Sequence, residues 1–123
     1  MSYNLFLDDE RQPNEFLDDV RTWVIVRSYN QFVETIRKQG LPKFISFDHD
    51  LADEHYVQSV NYGKFKEKTG YECAKWLIKY CMNINQPLPD WQVHSMNPVG
   101  KVNIDMILIA HRQWVRLTEK CKN

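Results

Sequence analysis

The sequence predicts an α/β protein built on a mostly parallel sheet of four strands. Three observations carry that prediction. Four short runs rich in β-branched and aromatic residues are separated by longer segments with helical periodicity. Those segments begin and end on recognisable helix start and stop signals. Alternation of strand and helix favours parallel pairing through right-handed crossovers.

Tyr3–Leu7 reads as the first strand and stops at Asp8-Asp9-Glu10-Arg11. Pro13 then opens a short helical turn containing Phe16 and Leu17. Trp23–Arg27 is the second strand. Ser28 with Gln31 three places on forms a capping box, Tyr29, Phe32, Val33 and Ile36 recur at helical spacing, and Gly40 ends the helix. Pro42 breaks the chain before the third strand, Lys43–Phe47. From 52 to 68 periodicity fades, and a polar run carrying Lys64, Lys66 and Lys68 reads as a lid-like loop. Thr69 with Glu72 makes a second capping box, ahead of a helix whose apolar stripe is Ala74, Leu77, Ile78 and Cys81. Pro87 and Pro89 punctuate the next loop, and Trp91–His94 is the fourth strand. A last helix places Ile104, Ile107, Leu108, Trp114 and Val115 on one side. There is no internal repeat or low-complexity segment, so residues 1–123 read as one domain.

A chain of 123 residues supports a hydrophobic core without covalent staples. Its formal net charge of zero gives no reason to expect long nucleic acid or a membrane surface as partner. Cys73, Cys81 and Cys121 are an odd number without metal-site spacing, and the first two lie roughly 12 Å apart along one helix, too far for a disulfide. Reduced thiols, no signal-like N-terminus and no bilayer-length apolar run lead to a cytoplasmic expectation.

In a parallel sheet all strand C-termini lie on one edge, where ligands bind. Asp8-Asp9-Glu10-Arg11 follows the first strand, Asp48-His49-Asp50 the third and His94-Ser95-Met96-Asn97 the fourth. Each acid alone is an ordinary cap or turn residue. Together Asp8, Asp9, Asp48 and Asp50 repel one another, and a hard divalent cation such as Mg²⁺ or Mn²⁺ relieves that repulsion through oxygen ligands. Arg11, Lys101 or a loop lysine is the alternative counter-charge. His94, beside Ser95 at a strand end, is read as functional, whereas His55 and His111 are structural by default. In Asn97-Pro98-Val99-Gly100-Lys101, Asn97 is a favoured N-cap and Pro98 fits the first helical position. The amides of Val99, Gly100 and Lys101 then form an anion site that Gly100 lets a ligand approach closely. Gly63 to Gly70 is not a Walker loop, because Tyr71 follows the second glycine.

Leu5–Pro13, Phe47–Leu51, Thr69-Gly70 and His94–Pro98 together resemble the cyclic-phosphate-processing receiver-like family, and the resemblance spans nearly the whole chain. It implies a receiver-like (flavodoxin-like) three-layer sandwich and a role in handling cyclic phosphates of nucleotides or ADP-ribose derivatives. Against response-regulator receivers, Asp8 and Asp9 match the acid pair, Asp48 the phosphoacceptor and Ser95 the hydroxyl after the fourth strand. The fifth strand and its lysine have no counterpart, so the sheet reads as truncated.

The resulting expectation is a phosphodiesterase-like protein whose partner is a small-molecule cyclic phosphate or nucleotide. Asp8, Asp9, Asp48 and Asp50 hold the cation. Arg11, Ser95, Asn97 and the amides of Val99, Gly100 and Lys101 grip the phosphate. Asp48 takes part in the chemistry, and His94 or His49 protonates the departing alkoxide. A metal-free version with the two histidines as acid and base stays open. So do two rivals: a degenerate receiver phosphorylated on Asp48, and a non-catalytic binder of cyclic nucleotides.

Overall fold

The computed structural model describes residues 3–13, 22–51 and 68–121. Within them the chain forms β1 (Asn4–Leu7), β2 (Trp23–Val26), α1 (Tyr29–Gln39), β3 (Phe44–Phe47), α2 (Gly70–Ile84), β4 (Asp90–Val93) and α3 (Pro98–Cys121). All strands pair in parallel, in the order β2-β1-β3-β4. Among the described residues this is the flavodoxin-like order without a fifth strand, and its reversal of direction falls between β1 and β3. Of the lid expected at 52–68, residues 52–67 lie outside the described residues, as do the turn around Phe16 and Leu17, His55, Lys64 and Lys66.

Alternation along the strands sorts the two faces of the sheet. Leu5, Leu7, Val26, Ile45, Phe47 and Val93 join Phe32, Val33, Ile36, Cys73, Ala74, Leu77, Ile104 and Leu108 in one buried cluster, so the three described helices share a face. Phe6, Ser46 and Gln92 are paired neighbours in register and project to the opposite face. Phe6 is fully buried there, edge-on to Trp23 at 5.8 Å.

Local chemistry sets the helix ends. Ser28 Oγ accepts the amide of Gln31, and the Gln31 side chain accepts in return from the amide of Arg27, one residue before the usual capping-box partner. Gly40 ends α1 at φ 85°, a conformation glycine adopts without a Cβ penalty. The capping box expected at Thr69 does not form, since Thr69 makes no side-chain cap bond. Trp114, expected on the core side of the last helix, is 52% exposed because its position falls on the flank of the stripe set by Ile104 and Leu108. Cys73 and Cys81 are both buried, and burial raises the Cys81 thiol to about 11, which makes it inert. No helix of the described residues is long and apolar enough to cross a membrane.

Candidate active site

The parallel ladder runs one residue past each strand end and fixes the first residue of every cluster. The amide of Asp8 donates to Val26 O at 3.1 Å, that of Asp48 to Leu7 O at 2.9 Å and that of His94 to Phe47 O at 2.9 Å. Asp8, Asp48 and His94 therefore arrive side by side at the reversal of strand order. Among the described residues their ligand atoms form a group within 4.8 Å of one another.

Asp8 is saturated. Its Oδ1 accepts the amides of Glu10 (3.0 Å) and Arg11 (2.9 Å), and its Oδ2 accepts Arg11 Nε (2.9 Å) and lies 3.0 Å from His94 Nε2. Burial alone pushes this carboxyl up, but the His94 contact, the two amides and the Arg11 charge overrule it and hold Asp8 well below the usual carboxylate range. Asp48 is the opposite case. Its Oδ1 accepts the amide of His49 at 2.8 Å, while its buried Oδ2 makes no hydrogen bond among the described residues and faces Arg11 Nη2 at 3.4 Å. Burial first, then repulsion from Asp8, raise this carboxyl to about 7, against the pull of Arg11.

Arg11 thus provides the counter-charge for both carboxylates, the alternative that sequence left open. Arg27, which sequence reading treated only as the end of a strand, clamps that arrangement from behind. Its Nη1 donates to Arg11 O at 2.6 Å and to Asp8 O at 3.2 Å. A basic residue ending β2, beside the loop after β1 in a parallel pair, was the available signal.

The Asp48-His49-Asp50 loop is wedged between two helix N-termini. Gly70 donates its amide to His49 O at 2.7 Å, and a Cβ there would overlap the Asp48 carbonyl. At Gly100 a Cβ would overlap the His49 ring. Gly100 was expected to let a ligand approach; instead it lets the chain's own histidine in. His49 is consequently buried, with Nδ1 2.8 Å from Asp50 Oδ1. Asn97 caps α3 by accepting the Gly100 amide at 3.0 Å, and its Nδ2 leans on both Asp50 oxygens at 3.4 Å. Replacing Asn97 by Ala is expected to cost about 1 kcal/mol in a urea melt through loss of this cap.

These contacts revise several expectations. Two of the three α3 amides proposed for phosphate are engaged, that of Gly100 by Asn97 Oδ1 and that of Lys101 by Asn97 O. Val99 and Lys101 are exposed on the helix, and Ser95 Oγ accepts the Asn97 amide at 3.1 Å as a turn residue. Asp50 is tied to His49 and Asn97, and Asp9 stands outside the close group, its carboxyl raised by burial and by Asp8 and Glu10. Neither histidine faces solvent: the side chains of His49 and His94 are each 3% exposed. Beside Arg11 and Asp48 opens a cleft of about 210 Å³ lined by Glu10, Arg11, Asp48, Asp50 and Met96.

A family model described as the cyclic-phosphate processing receiver domain matches residues 3–110. The chain belongs to that family. The match begins with β1 and ends within α3, so it takes in the four strands and all three clusters at their ends. No curated protein and no solved structure matches the chain. In this member of the cyclic-phosphate processing receiver domain family, Asp8, Asp48 and His94 form one close group among the described residues.

Proposed function

We propose that the protein hydrolyses a cyclic phosphate, of a nucleotide or an ADP-ribose-type molecule, in the cleft between Arg11 and Asp48. The pairing of a partly exposed guanidinium with a buried carboxyl that titrates near neutrality, on one cleft wall, carries this reading. The phosphate lies against Arg11, whose planar donors match phosphoryl oxygens and stabilise charge that grows in the transition state. Water adds at phosphorus and one ester P–O bond breaks. The departing alkoxide takes the Asp48 proton, which the attacking water then restores. The product is a phosphomonoester. Buried behind the carboxylates, His94 serves to hold Asp8 rather than to meet the substrate.

A divalent cation such as Mg²⁺ or Mn²⁺ is the alternative form of this proposal, in which Asp48 is ionised and holds the ion instead of donating the proton. The buried Asp48 Oδ2 without a hydrogen bond is the kind of oxygen a hard cation takes, with Asp8 as its neighbour. Such an ion, when bound, would supply charge neutralisation and activated water.

The test is turnover of a panel of cyclic mononucleotides and cyclic ADP-ribose phosphates, with and without Mg²⁺ or Mn²⁺. Arg11→Lys is expected to lower kcat/KM by about 10²-fold, because a point charge replaces a bidentate fork. Tight binding with intact ligand recovered would favour a non-catalytic binder. Acetyl-phosphate labelling of Asp48 without turnover would favour a phosphoacceptor.

A further inference from the structure

Behind Asp8 a line of polar side chains crosses the sheet face opposite the helices. Gln92 Nε2 lies 3.1 Å from Ser46 Oγ, Ser46 Oγ 2.7 Å from His94 Nδ1, and His94 Nε2 3.0 Å from Asp8 Oδ2. Ser46 is fully buried, and the imidazole stacks on Phe6 with centroids 4.5 Å apart and planes 4° from parallel. Ser46 interrupts the otherwise apolar β3, Gln92 stands between Trp91 and Val93 in β4, and nothing in the cleft chemistry above uses them.

Donor and acceptor arithmetic fixes where the protons sit. Asp8 Oδ2 already accepts Arg11 Nε at 2.9 Å, and Oδ1 accepts two amides. A carboxyl so furnished is ionised, so the atom facing it at 3.0 Å must be an N–H. His94 Nε2 therefore carries a hydrogen and donates to Asp8. The Ser46 hydroxyl, already accepting from Gln92 Nε2 at 3.1 Å, directs its own hydrogen to His94 Nδ1 at 2.7 Å. Nδ1 is then the acceptor, the Ser46 hydroxyl donates to it, and the Ser46 lone pairs accept from Gln92. Every polar atom on the line has one consistent role.

We propose that Ser46 and Gln92 are positioning residues that lock His94 in the neutral tautomer protonated at Nε2. The lock closes both imidazole nitrogens to a metal ion, one by its hydrogen and one by the Ser46 hydroxyl. His94 is then no ligand, although its ring lies in the close group with Asp8 and Asp48. Any cation at this edge is held by carboxylate oxygens, a donor set that suits Mg²⁺ or Mn²⁺ better than Zn²⁺. The inference stands whether or not the cleft turns over cyclic phosphates.

Long-range ¹H–¹⁵N spectra of the ¹⁵N-labelled full chain at neutral pH test it. For His94 they should show a protonated-type Nε2 and an unprotonated-type Nδ1, unchanged when Zn²⁺ alone is added. In Ser46→Ala the His94 nitrogens should shift toward the averaged pattern of an imidazole exchanging tautomers, with His111 unmoved. Gln92→Met should give a smaller shift in the same direction. An Nδ1-protonated or averaged ring in the unmodified protein would overturn the proposal, as would a Zn²⁺-dependent shift of His94 nitrogens there. An Ser46→Ala spectrum identical to wild type would remove Ser46 from the role.

Discussion

Replacing Asp48 by Asn is expected to stabilise the fold at pH 8 by about 2–4 kcal/mol while removing turnover. In the unfolded chain this carboxyl ionises near its usual value of about 3.9. In the folded protein burial and the neighbouring Asp8 hold it protonated up to about 7. Between those two values the native state binds the extra proton, so Asp48 makes the wild type lose stability as pH rises, and the loss is complete above about pH 7. The Asn variant lacks that slope. Asp8 acts with the opposite sign, because its depressed carboxyl gives stability present above about pH 4 and lost on further acidification. Urea melts from pH 4 to pH 8 on both proteins check the claim: the two curves should separate as pH rises. Parallel curves would mean that the Asp48 carboxylate is compensated in the folded state.

The second large effect comes from the glycines that seat the Asp48-His49-Asp50 loop. Alanine is favoured over glycine inside a helix by about 1 kcal/mol. Gly70→Ala and Gly100→Ala should nevertheless destabilise, because each Cβ meets a part of that loop. At Gly100 it meets the His49 ring, which turns only at the expense of its bond to Asp50; a cost of about 2 kcal/mol is in the range for such overpacking. At Gly70 it meets the Asp48 backbone carbonyl, which has no rotamer to give, so the cost should exceed that at Gly100. Denaturation midpoints should fall in the order wild type, Gly100→Ala, Gly70→Ala. A stabilised Gly70→Ala protein would show that α2 and the loop are not in contact as described.

Much of this site was legible in the residues themselves. A parallel sheet puts its strand C-termini on one edge, so Asp8, Asp48 and His94 had to meet once four strands alternated with helices. Asn97-Pro98 likewise announced the start of α3, and Asn97 caps it. Other assignments failed for definite reasons. A glycine after a helix cap signals a close approach but not what approaches, so Gly100 suggested a ligand where His49 packs. The acids left a cation and Arg11 open as counter-charges, and Arg11, only three residues from Asp8, pairs with both Asp8 and Asp48. Ser46 was visible as a polar break in an apolar run, and Gln92 as a polar residue between Trp91 and Val93. Their meaning needed the β3–β4 register, which pairs them so that Gln92 reaches Ser46 and Ser46 reaches His94.

The most direct test of the central claim follows oxygen. Incubating the full chain with a cyclic phosphate substrate in ¹⁸O-enriched water, and reading the product by ³¹P NMR and mass spectrometry, should show one solvent oxygen in a phosphomonoester, with the signal lost in Asp48→Asn. Recovery of unlabelled cyclic phosphate from a protein that binds it tightly would contradict hydrolysis at the Arg11–Asp48 cleft.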